Sequence, residues 1–175
     1  MKVSTHVARA GLFTALNFIF LALSRVLPFN QLFLYGLTSL LMVTACIELP
    51  ARYAWAVYGA TVLLSLWQPG IPLMFNFLFY FGLYPLLAFR LDRYVANKRT
   101  ARIIRVAIGV IGLYLIFILF RNLWWNNERL KSLRVWLPLI ALPVSILGTW
   151  LYDRVLGAYA SFYLRRIKPF IGRRR

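Results

Sequence analysis

Long uncharged stretches of apolar residues, separated by short polar breaks, dominate this chain. Residues 10–24 and residues 26–47 carry no charge and are mostly apolar. A helix needs about 20 apolar residues to cross the hydrocarbon core of a bilayer. The two stretches therefore predict two membrane-spanning helices, separated by a turn at residues 28–31.

Four further spans are predicted from residue 53 onward. Residues 53–89 carry no charge but are too many for one helix, and the Gln-Pro-Gly-Ile-Pro segment at 68–72 divides them into spans three and four. Residues 106–120 and 135–152 supply spans five and six. Backbone groups in hydrocarbon must be satisfied within the protein, so each span is expected to be a helix. The predicted fold is all-α: a single polytopic membrane domain of six transmembrane helices over residues 1–175.

Charge distribution predicts the orientation of these spans. The chain has 21 Lys and Arg residues against 4 Asp and Glu residues, a net charge of +17. With the N-terminus inside, the outer side receives only five of the basic residues: Arg25, Arg121, Arg129, Lys131 and Arg134. The positive-inside rule therefore favours six spans with both termini in the cytoplasm. Because the basic residues lie at span ends, we expect anionic lipids as partners and no nucleic acid.

The C-terminal segment is expected to be a basic interfacial tail at about residues 157–175. Residues 158–175 mix six basic residues with aromatic and aliphatic ones, which is typical of a helix lying on an anionic leaflet. A segment that docks on a protein partner is the alternative. The longest cytoplasmic loop is predicted at residues 90–105, and the longest outer loop at residues 121–134.

Catalytic and metal chemistry find little support in the residue types. The chain has four acids, one histidine and one cysteine, Cys46, and their spacing matches no catalytic triad or metal motif. We therefore predict that the protein is not an enzyme and needs no cofactor or metal.

A structural ion pair is predicted at the turn between spans two and three. Glu48 and Arg52 enclose this turn, and a hairpin there would bring their charges together. Proton coupling through Glu48 is the alternative, although an ionisable group near a membrane boundary is less costly than one at the midplane.

Polar and aromatic residues gather at the predicted outer ends of the spans. The candidate ligand-binding residues are Arg25, Asn30, Gln31, Trp67, Gln68, Asn76, Arg121, Asn122, Trp124 and Trp125. Together they offer stacking faces, amide hydrogen bonds and positive charge, which suits a small planar or anionic solute. An ordinary aromatic belt with hydrated loops is the alternative.

Small residues share one face of span one. Ala8, Gly11 and Ala15 recur at helical spacing near its cytoplasmic end. Small residues let a second helix approach closely, so this face is predicted to contact a partner helix. Packing within the bundle is the alternative.

Three segments between about residues 8 and 95 form a recognisable set: the small-residue face at Gly11 and Ala15, the turn at residues 48–52 with the Tyr-Gly-Ala at 58–60, and the Phe-Gly-Leu-Tyr-Pro at 81–85. In these segments the chain resembles the substrate-binding membrane subunits (S components) of energy-coupling factor vitamin transporters. The second half of the chain is similar in length and topology. Uncharacterised bacterial membrane proteins related to S components share this likeness.

The resemblance implies a multi-pass subunit of the bacterial cytoplasmic membrane that binds a vitamin-like solute. Ala8, Gly11 and Ala15 would contact a membrane-embedded coupling subunit, and separate cytoplasmic ATPases would supply the energy. The solute would occupy a closed outer cavity lined by Arg25, Asn76 and the outer loop between spans five and six. The subunit would topple in the membrane to release it. The alternative is a non-transport scaffold or assembly subunit that acts through helix packing and its basic cytoplasmic surface.

Overall fold

Six helices account for nearly all of the described chain, which contains no strand. The computed structural model describes residues 2–27, 30–67, 75–95, 97–125 and 136–169. The helices are α1 (Lys2–Val26), α2 (Gln31–Glu48), α3 (Ala51–Leu66), α4 (a π-helical turn at Phe77–Phe81, then Leu83–Tyr94), α5 (Lys98–Trp125) and α6 (Trp136–Phe162, then a π-helical turn at Tyr163–Ile167). The all-α prediction is confirmed for these residues.

Three of the described helical segments are long and apolar enough to cross a membrane. They are Val3–Val26 in α1, Gln31–Glu48 in α2 and Arg99–Leu119 in α5, and α4 contributes a shorter apolar segment, Phe77–Leu91. The helices pack as a bundle in which α1 lies against α2 and α3, α4 lies against α2 and α5, and α6 lies against α5 and α2.

Helix α5 is longer than the sequence predicted. The predicted cytoplasmic loop at residues 90–105 is wrong for most of its length, because α4 continues to Tyr94 and α5 begins at Lys98. Asn97 marks the start of α5, since its side-chain oxygen accepts a hydrogen bond from the Arg99 backbone N–H at 3.0 Å. Charge sets the edge of a membrane span but does not end a helix, and residues 98–105 contain no helix breaker.

The C-terminal segment continues α6 instead of forming a separate element. After the π-helical turn at Tyr163–Ile167, helical structure extends to residue 169. Within this extension Tyr163 is buried, whereas Phe162 and Leu164 are exposed. Contact of the segment with a lipid surface stays a prediction.

The π-helical turn in α4 leaves two backbone carbonyls without their usual partners. Gly82 donates its N–H to Phe77 at 2.8 Å, which frees the carbonyl of Leu78. Pro85 has no N–H to donate to the carbonyl of Phe81. Hydroxyl groups of neighbouring helices replace the missing donors. Tyr58 of α3 donates to the carbonyl of Leu78 and Ser39 of α2 donates to the carbonyl of Phe81, each at 2.8 Å.

Glycines let α5 pack very closely on its neighbours. A Cβ atom at Gly109 would lie 2.9 Å from the Tyr84 ring and would clash with Thr149 of α6, and one at Gly112 would lie 2.8 Å from the carbonyl oxygen of Phe79. Such contacts fall below normal van der Waals separation, so these two positions require glycine. They fix α5 against α4 and α6 and thereby position the walls of the cavity described next.

Candidate binding cavity

A cavity of about 540 Å³ lies between α2, α4, α5 and α6. Small-molecule sites commonly measure roughly 300–1,000 Å³, so the volume suits a small ligand. Its aromatic lining consists of Tyr80, Phe81, Tyr114, Phe117 and Tyr152. Two smaller voids elsewhere in the bundle, of about 90 and 70 Å³, are below that range.

The hydroxyl groups in the cavity wall are largely engaged within the protein. Tyr152 donates to the hydroxyl of Ser39, and Tyr80 donates to the hydroxyl of Thr149 at a long 3.4 Å. Ser145 donates to the carbonyl of Leu142 at 2.8 Å. The wall therefore presents mainly ring faces and aliphatic surface to a ligand.

Three tyrosine rings in mutual contact connect the cavity wall to a largely buried ion pair. The ring centroid of Tyr152 lies 5.0 Å from that of Tyr80 and 5.3 Å from that of Tyr84. Tyr84 is almost completely buried, and its hydroxyl donates to the Asp153 carboxylate at 2.9 Å. Asp153 in turn lies 3.1 Å from Nε of Arg105. These contacts join α4, α5 and α6, and the two charged side chains are only 13% and 15% exposed.

A second ion pair joins α1, α2 and α6. The Glu48 carboxylate lies 3.4 Å from the Arg9 guanidinium and accepts a hydrogen bond from the Tyr163 hydroxyl at 3.2 Å. Burial and the neighbouring Glu48 raise the pKa of Tyr163, which lies beyond the predicted sixth span, to about 12. The hydroxyl therefore stays protonated at neutral pH and acts as a donor to Glu48.

The predicted ion pair between Glu48 and Arg52 is wrong. Leu49 and Pro50 have extended ψ values of 148°, so α2 ends and α3 begins in a new direction. Glu48 faces α1 and α6, whereas Arg52 is exposed on the first turn of α3 with its guanidinium 4.8 Å from the centre of the Tyr53 ring. The Glu48 carboxylate was predicted to stabilise one turn, and it instead connects α1, α2 and α6.

Of the predicted ligand-binding residues that the structure describes in full, none lines the cavity. Arg25, Asn30 and Trp67 are exposed, and Gln31 is half-buried at the start of α2. Gln68 lies outside the described residues. The backbones of Arg121, Asn122, Trp124 and Trp125 belong to the end of α5, but their side chains lie outside the description.

Asn76 has a structural contact instead of a place in the cavity. Its side chain and that of Ser24 form hydrogen bonds with the buried Tyr35, which connects α4 and α1 to α2. Arg25 and Asn76 do not line the cavity described above, and an outer cavity formed by them and the loop between spans five and six stays a prediction. The cavity residues that sequence reasoning missed carried little signal, because Tyr80 lies inside an apolar stretch and Tyr152 is the last residue of the predicted sixth span.

The small-residue face of α1 is exposed. Ala8, Gly11 and Ala15 are all on the surface, and no atom lies within 4 Å of a Cβ built on Gly11. Leu12 and Ile19 on the same side are 60% and 54% exposed. The face is thus not used for packing among the described helices, and its contact with a partner helix stays a prediction.

Comparison of the chain with models of known protein families, with curated proteins and with solved structures gives no match. The described residues also include no group of three or more His, Cys, Asp or Glu side chains placed to hold a metal ion.

Proposed function

We propose that this protein is the substrate-binding membrane subunit of an ATP-driven, energy-coupling factor type importer of a small vitamin-like solute. In this proposal all six helices span the bacterial cytoplasmic membrane, with both termini in the cytoplasm. The observation that carries the proposal is the aromatic-lined cavity of about 540 Å³ between α2, α4, α5 and α6.

The position of the cavity suits uptake from outside the cell. Leu32 and Gly36 in its wall belong to the first turns of α2, and Val144 and Gly148 belong to the first half of α6. In the proposed orientation these segments lie in the outer half of the bundle. Both ion pairs then lie toward the cytoplasmic half, where they hold the helices together while the outer half accommodates a ligand.

The coupling partner is proposed to bind the small-residue face of α1. Ala8, Gly11 and Ala15 lie near the cytoplasmic end of this helix, where a coupling subunit connected to cytoplasmic ATPases would have to act. Their exposure leaves the face open to another helix. The basic residues at the same end would contact anionic lipids. No catalytic role is proposed for the chain itself, since Glu48 and Asp153 are both held in ion pairs.

Affinity purification tests this proposal. The tagged protein is isolated from its native membrane in mild detergent, and bound proteins and small molecules are identified by mass spectrometry. We expect a membrane-embedded coupling subunit and ATPases, and we expect the Gly11→Leu/Ala15→Leu variant to lose them. Gly59→Leu is the matched control, because Gly59 of α3 also has no atom within 4 Å of its Cβ position.

Recovery of unrelated membrane proteins, with neither ATPases nor a retained small molecule, would reject the importer proposal. That result would favour the alternative of a scaffold or assembly subunit. Equal recovery of ATPases with the Gly11→Leu/Ala15→Leu variant would reject the α1 face as the coupling surface.

A further inference from the structure

We infer that the cavity binds an uncharged, lipophilic small molecule that enters sideways from the bilayer, and not a charged solute delivered from water. The inference rests on the proposed function, which places the helices in a membrane, and it specifies the class of ligand that the cavity binds. It departs from the sequence prediction of an anionic solute held by arginine, whereas the planar solute of that prediction stays compatible with it.

The described part of the wall offers a charged ligand little compensation for its burial. No Lys, Arg, His, Asp or Glu is among the described residues that line the cavity. A buried charge is costly unless an opposite charge or several hydrogen bonds compensate it. The hydroxyls of Tyr80, Ser145 and Tyr152 already donate to partners inside the protein, so they do not supply this compensation.

The mouth of the cavity lies on the side of the bundle. Leu32 and Val144 line the cavity and are nevertheless 75% and 62% exposed, and Tyr114 in the middle of α5 is 43% exposed. These exposed wall residues come from three helices and offer an apolar rim. In a bilayer, such a rim faces lipid, so an apolar ligand can pass from the membrane into the cavity without crossing water.

Glycines keep the cavity open. Gly36 of α2 and Gly148 of α6 line it, and neither has an atom within 4 Å of its Cβ position. This contrasts with Gly109 and Gly112 of α5, where a Cβ atom would collide with a neighbouring helix. The cavity glycines therefore leave space in the wall and do not serve close packing.

The aromatic wall favours a ligand with a flat ring. Stacked and edge-on arrangements are the preferred contacts between aromatic groups. Tyr80 and Phe81 already contact Tyr152 in these two ways, with ring centroids 5.0 and 5.8 Å away. A small molecule with a ring system and the acyl chain of a lipid are both uncharged and apolar, as the wall requires. The solvent extraction described below distinguishes these two ligands.

Photolabelling with two matched probes tests the ligand class. The protein in lipid nanodiscs is irradiated with benzophenone, which is uncharged and lipophilic, or with 4-benzoylbenzoate, the same ring system bearing a carboxylate. Labelled peptides are mapped by mass spectrometry, with the exposed face of α1 as the internal reference. We expect benzophenone to label residues 32–36, 113–117 and 141–152 several-fold more than the reference, and we expect no such preference with 4-benzoylbenzoate.

Filling the cavity provides the matched variants. Gly36→Leu and Gly148→Leu, tested separately, are each expected to abolish the preferential benzophenone labelling, whereas Gly59→Leu is expected to retain it. Leucine is a better helix former than glycine, so neither change carries a backbone penalty. Size-exclusion chromatography and circular dichroism confirm that each variant is folded. Preferential labelling that survives both cavity substitutions would overturn the inference, as would preferential labelling of the cavity by 4-benzoylbenzoate.

Solvent extraction of the purified protein identifies the source of the ligand. If a ring-bearing metabolite is enriched in the wild-type protein relative to the Gly148→Leu variant, the ligand is a solute. If phospholipid alone is enriched, the cavity binds an acyl chain. Both results agree with an uncharged, lipophilic occupant. Cavity labelling without ATPase partners would reject the importer and leave the ligand class standing. Recovery of ATPase partners without cavity labelling would reject the inferred ligand class and leave the importer proposal intact.

Discussion

Single side chains at the centres of polar clusters hold this bundle together. Asp153 contacts both Arg105 and Tyr84, and Glu48 contacts both Arg9 and Tyr163. Each acid therefore connects its own helix with two others. The buried cluster at Asp153 should matter more for stability, because its charges have less access to water than Arg9, whose side chain is 33% exposed.

Removing one member of the Asp153 cluster is expected to be strongly destabilising. Arg105→Met leaves the carboxylate without its guanidinium, and breaking a buried ion pair in this way costs about 3–5 kcal/mol. The Arg105→Met/Asp153→Asn variant removes both charges, keeps an acceptor for the Tyr84 hydroxyl and should recover most of that loss. Arg102→Met is the control, because Arg102 is exposed on the same helix.

Chemical unfolding in detergent micelles measures these differences. An Arg105→Met variant no less stable than Arg102→Met would show that the ion pair contributes nothing to the bundle. A double variant whose loss equals the sum of the losses of the two single variants, Arg105→Met and Asp153→Asn, would show that the charges act independently of each other.

At the scale of helices, the π-helical turn of α4 depends on side chains of neighbouring helices, because its freed backbone carbonyls need hydrogen-bond donors. Helix irregularities at membrane depth are tolerated where other groups satisfy the freed backbone. Tyr58 and Ser39 do so for Leu78 and Phe81. The turn also determines the cavity, because Tyr80 and Phe81 within it form part of the wall.

Tyr58→Phe is therefore expected to destabilise the protein even though it changes only one hydroxyl group. The carbonyl of Leu78 would be left buried without a partner, at a cost of about 1–3 kcal/mol. Tyr94→Phe is the matched control, since Tyr94 is 83% exposed. Unfolding of both variants under the same conditions gives the comparison, and equal stabilities would contradict the assigned role of Tyr58.

Sequence patterns predicted the helices well but not their irregularities or their contacts. Uncharged stretches locate apolar helices directly, which is why each of the first two predicted spans coincides with a helix, although α1 begins eight residues before the first span. The start of α5 was missed because basic residues are good helix formers and mark a boundary only relative to a membrane. The π-helical turn was missed because one inserted residue barely alters the apolar pattern.

The candidate site was harder to predict than the fold. The notable polar residues of the sequence, such as Arg25 and Trp67, are exposed, whereas the cavity is built from residues that look like ordinary apolar core. Its volume depends on where Gly36 and Gly148 face relative to other helices, which is a tertiary property. The partner of Glu48 likewise depends on the placement of α1 and α6, and not on the nearest basic residue in sequence.

For the whole molecule, the chemistry is divided between the two ends of the bundle. Both acid-centred clusters lie near the α2–α3 junction or in the second half of α6, whereas the cavity extends from the early turns of these helices to Tyr152, next to Asp153. Ion pairs thus connect the helices toward one end of the bundle, and the cavity lies toward the other end. A bundle with this division can change shape at the cavity end without separating its helices, which suits binding and release of a ligand.

The proposed orientation places the two ends on opposite sides of the membrane, and cysteine labelling tests it. Cys46 is buried and is the only native cysteine, so single substitutions at the exposed positions Ser4, Asn30, Thr100 and Ser161 provide the reactive sites. A membrane-impermeant maleimide should label Asn30→Cys in intact cells and should label the other three only after lysis. Three predicted spans separate Asn30 from Thr100, and two separate Thr100 from Ser161. Labelling of Thr100→Cys and Ser161→Cys on opposite sides would mean that α5 and α6 do not both cross, and would reject the six-span topology.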